Sequence, residues 1–279
     1  MVKYVYAFSE GNKRMKNLLG GKGANLAEMT QIGLPVPSGF TITTEACNQY
    51  FYDGDKINSE IKEQVENAVV QLEKLVDKRF GGSPCLLVSV RSGSVFSMPG
   101  MMDTILNLGL NDENVKLLGE TTKSHRFALD CYRRFIQMYS NVVLEVPMYH
   151  FESLLEDAKE EYHLQSDQEL TADHLLDIIR EYKQVIQRET GKEFEQSPKQ
   201  QLYSAIEAVF KSWNNERAKI YRQLNNIPSE VGTAVNVQLM VFGNLGDTSG
   251  TGVVFTRDPS TGENKLFGEF LMNAQGEDV

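Results

Sequence analysis

The sequence predicts a mixed α/β fold of the α+β kind, interrupted by an all-helical insertion. Three observations predict it. Gly20-Gly21-Lys22-Gly23 lies at the start of an apolar-periodic helix, behind a short strand candidate. Cys85-Leu86-Leu87-Val88-Ser89-Val90 is an unbroken apolar run of strand length. From about Asn111 to Ser197, Glu, Asp, Lys and Gln separate apolar stripes at helical spacing.

Taken in order, Val5 to Phe8 reads as a strand, and the helix from Ala24 ends at Gly33 before the Pro35 and Pro37 turn. Phe40 to Thr43 returns as a strand. Ile57, Ile61, Val65, Ala68, Leu72 and Val76 recur every three or four residues and mark one long amphipathic helix. The apolar run from Cys85 then delivers Arg91 at its end. Helical stripes follow at Phe127, Cys131, Phe135 and Met138, at Leu175, Ile178, Tyr182 and Val185, and at Leu202, Ile206, Val209 and Trp213. After Pro228 the pattern turns to β over Thr233–Val241, and glycines punctuate a meander: a Gly243–Gly250 loop, a Thr251–Thr256 strand, a turn at Asp258–Gly262 and a Lys265–Leu271 strand. The sheet begun at Thr251 has about two strands, and such pairs are marginal in water. The chain is therefore expected to be cut short.

With 279 residues, 41% of them hydrophobic, the chain can bury a large core in one large or two smaller domains. A formal charge of −10 and no long basic run argue against general nucleic-acid binding. Cys47, Cys85 and Cys131 lie far apart, which indicates neither a disulfide framework nor a zinc site and fits a reducing cytoplasm. No signal core and no window of roughly 18 apolar residues is present, so neither export nor a membrane is expected.

Glycines let backbone approach an anion closely, a helix start aims free N–H groups at it, and Lys22 supplies a compact counter-charge. A Walker A loop is excluded, because Gly23 stands where Ser or Thr would hold the metal. A glycine-rich turn capping an ordinary helix remains the other reading. Arg91 can clasp a phosphate bidentately or close the strand end by a salt bridge. In Ser97-Met98-Pro99-Gly100-Met101-Met102-Asp103-Thr104 the methionines form either an adaptable lid or a core plug, and composition favours the plug. Gly243–Gly252 is a second glycine-rich loop, with hydroxyls at Thr248, Ser249 and Thr251, that can fold amides over phosphates or serve as a long hairpin turn. Glu269 and Glu277 are solvated charges or contacts to ribose and metal-bound phosphate. His125, His150, His163 and His174 all lie in the helical insertion, away from any loop suited to a catalytic base.

Together, Gly20–Met29, Ser89-Val90-Arg91-Ser92-Gly93, Met98–Asp112 and Ser249-Gly250-Thr251-Gly252 resemble the pyruvate phosphate dikinase family across essentially the whole chain. The Met-Pro-Gly-Met-Met-Asp segment is the most specific of these. The resemblance implies an ATP-grasp-type nucleotide-binding domain with an incomplete second lobe. It implies a first lobe from 1–111 and 198–241, a helical insertion at 112–197 and a truncated second lobe at 242–279. Lys22 and Arg91 would contact ATP phosphates, Gly100 would lie in the lid, and Gln238, Met240 and Val241 would form the adenine-side hinge. Thr251 and Gly252 would be the second phosphate loop, with Glu269 and Glu277 on the ribose and adenine side. Mg2+ would accompany ATP, its acidic ligands lying beyond Val279. The resemblance also implies phosphoryl transfer to a histidine on a domain of the full-length chain, a homodimer at full length, and a fragment inactive alone. Val95 and Phe96 depart from the small and basic residues expected before Ser97. A free-standing, non-catalytic nucleotide-binding or regulatory module is the alternative, and the helical insertion can also be read as an interaction element.

Overall fold

The computed structural model describes residues 2–279, the side chain of Glu277 excepted. Its elements run β1 (Val5–Ala7), α1 (Lys16–Gln31), β2 (Gly39–Ile42), α2 (Thr44–Tyr52), α3 (Ser59–Val76), β3 (Arg79–Phe80), β4 (Cys85–Leu86), β5 (Val88–Ser94) and β6 (Thr104–Leu108). Next come α4 (Asn114–Thr122), α5 (His125–Val142), α6 (Tyr149–Glu161), α7 (Ala172–Thr190), α8 (Pro198–Ser212) and α9 (Glu216–Leu224). The chain closes with β7 (Thr233–Leu239), β8 (Gly250–Phe255) and β9 (Phe267–Met272). The mixed α/β class is as expected, and residues 114–190 are almost wholly helical.

A five-stranded sheet in the order β1-β2-β7-β5-β6 organises the molecule, with every neighbouring pair antiparallel. Side chains alternate across its two faces. One face carries Phe40, Val235, Val237, Val90 and Ile105 into the main core, where α8 lies against β5, β6 and β7. The other face carries a polar row in register, Thr41 opposite Asn236, Asn236 opposite Arg91, and Arg91 opposite Thr104. Helix α1 packs over that row, and only glycine at 23 allows it: a Cβ there would stand 2.8 Å from Thr41 Oγ1 and 2.9 Å from Asn236 Oδ1.

The core is continuous between sheet and insertion. Phe127, Cys131, Phe135 and Tyr139 of α5 and Leu175, Ile178 and Tyr182 of α7 belong to the same buried cluster as Val90 and Val237. Side-chain caps set several helix starts, among them Asn58 for α3, Ser124 for α5, Thr171 for α7 and Asn215 for α9. Cys47, Cys85 and Cys131 are all buried.

Several expectations are corrected. Helix α1 starts at Lys16, not Ala24, and Gly20 at φ 69° and ψ 170° breaks it, so that the stretch bearing Lys22 starts afresh. The strand through Val90 does not end there: β7 pairs with β5 from Val88 to Ser94, which places Arg91 in mid-strand. Burial under α1 lets Ser92, Gly93 and Ser94 continue a strand that their propensities alone would not sustain. Strand β6 and helices α2 and α9 were not anticipated.

The β8–β9 hairpin forms a separate two-stranded sheet whose residues lie exposed on both faces, Val254 and Phe270 conspicuously so. Its foot is fastened to the insertion. Phe242 meets Phe127 edge to face at 5.0 Å, and Asn244 donates to the buried Asp130 at 3.4 Å. Asp130 in turn pairs with Arg133 at 2.9 Å and Arg134 at 3.1 Å, and Arg134 reaches Asp278 at 3.0 Å. Among the described residues no helix is long and apolar enough to cross a membrane.

Candidate functional site

Two cations meet above the polar row. Lys22 stands in the first turn after the break at Gly20, and that break brings α1 against β5 closely: a Cβ on Gly20 would fall 1.6 Å from the Gly93 carbonyl oxygen. Although Lys22 as a residue is exposed, its ammonium folds back to donate to the Ser92 carbonyl at 2.9 Å. Partial desolvation, and then the neighbouring Arg91 guanidinium, push its pKa down to about 8. Arg91 donates to the Gln238 side-chain oxygen, its buried Nε has no partner, and desolvation lowers its pKa too. Gln238 donates to the Pro37 carbonyl at 2.9 Å, which fixes its amide orientation.

Among the described residues no carboxylate pairs with Lys22 or Arg91. Two adjacent cations held only by a carbonyl and an amide are unfavourable unless an anion joins them. Beside Lys22 opens a cavity of about 430 Å3 lined by Lys16, Lys22, Asn25, Ser92, Ser94 and Ser97, with Phe96, Met98, Pro99 and Met102 along one wall. Its lining holds cations, hydroxyls and an amide, and no acid. Such a set suits a phosphate-bearing ligand. It does not suit a divalent cation, and among the described residues no cluster of three or more His, Cys, Asp and Glu could hold a metal.

The remaining expected residues fall into two groups. Gly100, at φ 71° with open space around it, tips the loop that walls the cavity. Met98 of that loop is buried in a cluster with Trp213, Ala218 and Ile227, with Met101 and Met102 packed alongside, so the plug reading holds for Met98, while both Met98 and Met102 also line the cavity. Met240, just past β7, prolongs the pairing with β5 by donating its N–H to the Leu87 carbonyl at 2.9 Å, and Val241 is exposed.

Thr251, Gly252 and Glu269 lie on the separate hairpin, and none of them lines the cavity beside Lys22. The Thr251 hydroxyl donates to the Ala274 carbonyl at 2.7 Å, Gly252 faces Phe270, and Glu269 faces Val253 in exposed positions. Glu277 lies outside the residues whose side chains are described. No histidine lines the cavity.

Sequence reasoning missed Asn236, Thr41 and Lys16. Asn236 was detectable: in Thr233–Leu239, polar 236 and 238 alternate with apolar 235 and 237, and Asn236 Nδ2 is now a buried donor with no partner. Thr41 satisfies the other end of that amide at 2.9 Å.

Residues 16–68 and 55–279 match the family described as "Pyruvate phosphate dikinase, AMP/ATP-binding domain". The chain is 58% identical to the pyruvate, phosphate dikinase of Clostridium symbiosum, over 100% of its own length and 32% of that protein's. It is 54% identical to the enzyme of Rhizobium meliloti, covering 100% of this chain and 32% of the relative. To the chloroplastic pyruvate, phosphate dikinase 1 of Arabidopsis thaliana it is also 54% identical, over 99% of the chain and 29% of the relative. It thus spans about a third of the length of the curated relatives it matches. Lys16 and Lys22 line the cavity with no acid among its residues, Arg91 lies close to Lys22 without lining it, and the chain belongs to the pyruvate phosphate dikinase family through its AMP/ATP-binding domain.

Proposed function

We propose that this chain binds ATP by its phosphates, with Lys22 and Arg91 as the charged contacts and the hydroxyls of Ser92, Ser94 and Ser97 as further donors. The observation that carries the reading is the pair of cations with no acid to neutralise them, one of them with a buried, unpartnered N–H. An ATP triphosphate would satisfy both. In this reading the domain is of the ATP-grasp type, built as a first lobe from 1–111 and 198–241, a helical insertion at 112–197 and the beginning of a second lobe at 242–279. Gln238, Met240 and Val241 would border the adenine, Thr251 and Gly252 would approach the phosphates from the hairpin, Gly100 would cover them, and Glu269 and Glu277 would stand toward ribose and adenine.

The activity of the whole protein follows as part of the same proposal. ATP, phosphate and pyruvate would be converted to AMP, pyrophosphate and phosphoenolpyruvate, through a phosphohistidine on another domain of the full-length chain. That no histidine lines the cavity supports an acceptor supplied from elsewhere. Mg2+ would arrive with ATP as part of the substrate, since the cavity offers it no carboxylate. A cytoplasmic, homodimeric enzyme with no nucleic-acid or membrane partner completes the proposal, and this portion would be inactive alone.

Calorimetric titration with ATP and magnesium tests the phosphate contacts. Losing a charge-assisted hydrogen bond costs about 1.5–3 kcal/mol, so Lys22→Ala and Arg91→Ala should each weaken binding roughly 10- to 100-fold. Equal affinity in wild type and both variants would sink the reading.

A further inference from the structure

The loop from Ser97 to Asp103 walls the cavity, yet most of its contacts run away from the cavity, to α9. Arg217 pairs with Asp103 at 2.5 Å, the Asn215 side chain donates to the Met101 carbonyl at 3.2 Å, and the Tyr221 hydroxyl donates to the Ser97 carbonyl at 3.3 Å. Asn215 also caps α9 by accepting from Ala218 N–H at 2.7 Å, so the same side chain starts the helix and grips the loop. Met98 is clamped from the same side by Trp213, whose ring carries the Arg222 guanidinium at 4.2 Å and whose indole N–H donates to Ser229 at 3.0 Å. The loop is thus fastened at Ser97, Met98, Met101 and Asp103, while a Cβ at Gly100 between them would meet only open space.

A glycine- and proline-bearing loop would ordinarily sample many conformations. Here a helix more than 110 residues downstream restrains it at both ends, by polar contacts from its N-cap Asn215, its first-turn Arg217 and Tyr221 one turn on, and by the apolar cluster that holds Met98. We propose that Arg217 and Tyr221 are positioning residues for the nucleotide: they hold the Ser97–Asp103 loop in place so that Ser97 and Met102 wall the phosphate cavity, leaving only the Gly100 tip to adapt. This rests on the ATP reading for its ligand, though the grip on the loop does not. Holding the loop ready spares the ligand the entropy of ordering it. The segment most characteristic of the family would then depend on α9, an element that contributes no residue to the cavity lining.

The test uses the chain as described, with Arg217→Ala, Arg217→Lys and Lys22→Ala. Two quantities are read: hydrogen exchange of the amides from Ser97 to Asp103, and the calorimetric Kd for ATP with magnesium. Expected for Arg217→Ala are about tenfold faster exchange confined to the loop and α9, and a Kd raised roughly 3- to 30-fold, with Arg217→Lys recovering part of both. Unchanged loop exchange overturns the proposal, and so does faster exchange with unchanged Kd. If ATP binds wild type and Lys22→Ala alike, the ATP reading fails, and loop exchange still decides whether α9 holds the loop. Should Arg217→Ala fail to fold, Tyr221→Phe removes a single hydroxyl and is read in the same way.

Discussion

Lys22 is the residue on which most depends, and its lowered pKa gives two effects of opposite sign. Folded, it loses its proton near pH 8, against an ordinary value of 10.5 when unfolded. Between those values the unfolded chain carries more protons, so raising the pH stabilises the ligand-free fold across that window. The same deprotonation would remove the charge proposed to meet the anion. Affinity for ATP should therefore fall as pH rises through about 8, while the ligand-free stability of wild type relative to Lys22→Met rises toward 10.5, and Lys22→Met should lack the affinity trend. Calorimetric titrations and melting curves at pH 7 and 9.5 check this, and parallel trends in the variant would refute it. Lys22 was legible because glycines flank it, and Arg91 because an apolar run leads to it. Asn236 could be read from the alternation in Thr233–Leu239 but was passed over, and Lys16 was not legible, because its relevance arises only when α1 settles on the sheet.

At the scale of elements, α3, α5 and α7 were readable because each carries an apolar stripe over four or five turns, and the meander after Pro228 because glycines mark its corners. Strand β5 outran its apolar signature, since a strand buried beneath a helix can carry Arg, Ser and Gly where a solvent-facing one would end. Helix α9 was overlooked for lack of a wide apolar face: among its nine residues only Ala218 and Arg222 are buried. The hairpin behaves differently from every other element. Exposed on both faces and anchored only at its foot, it has little burial to hold it. Trypsin should cut first at Arg257 and Lys265, both between its strands, and leave α5 and the main sheet intact. Early cleavage within α5 would contradict that order.

On the scale of the whole molecule, the insertion shares its core with the sheet, Phe135 and Ile178 lying in the same cluster as Val90 and Ile105. Sheet and insertion should therefore unfold together, in one calorimetric transition, with the hairpin lost earlier and at little enthalpy. Two separate large transitions would show that the insertion stands alone. With a net charge of −10 around a locally cationic cavity, ATP binding there as proposed would have to approach against the overall field, so modest salt should speed its arrival. The buried cysteines carry a practical consequence. The Cys47 thiol is pushed up to about 12 by burial, Cys85 is raised as well, and Cys131 has no solvent exposure. At neutral pH the native chain is nearly blank to maleimide reagents, so a cysteine placed at exposed Phe96 would take a fluorophore or spin label selectively and report on the cavity's rim without any background to remove.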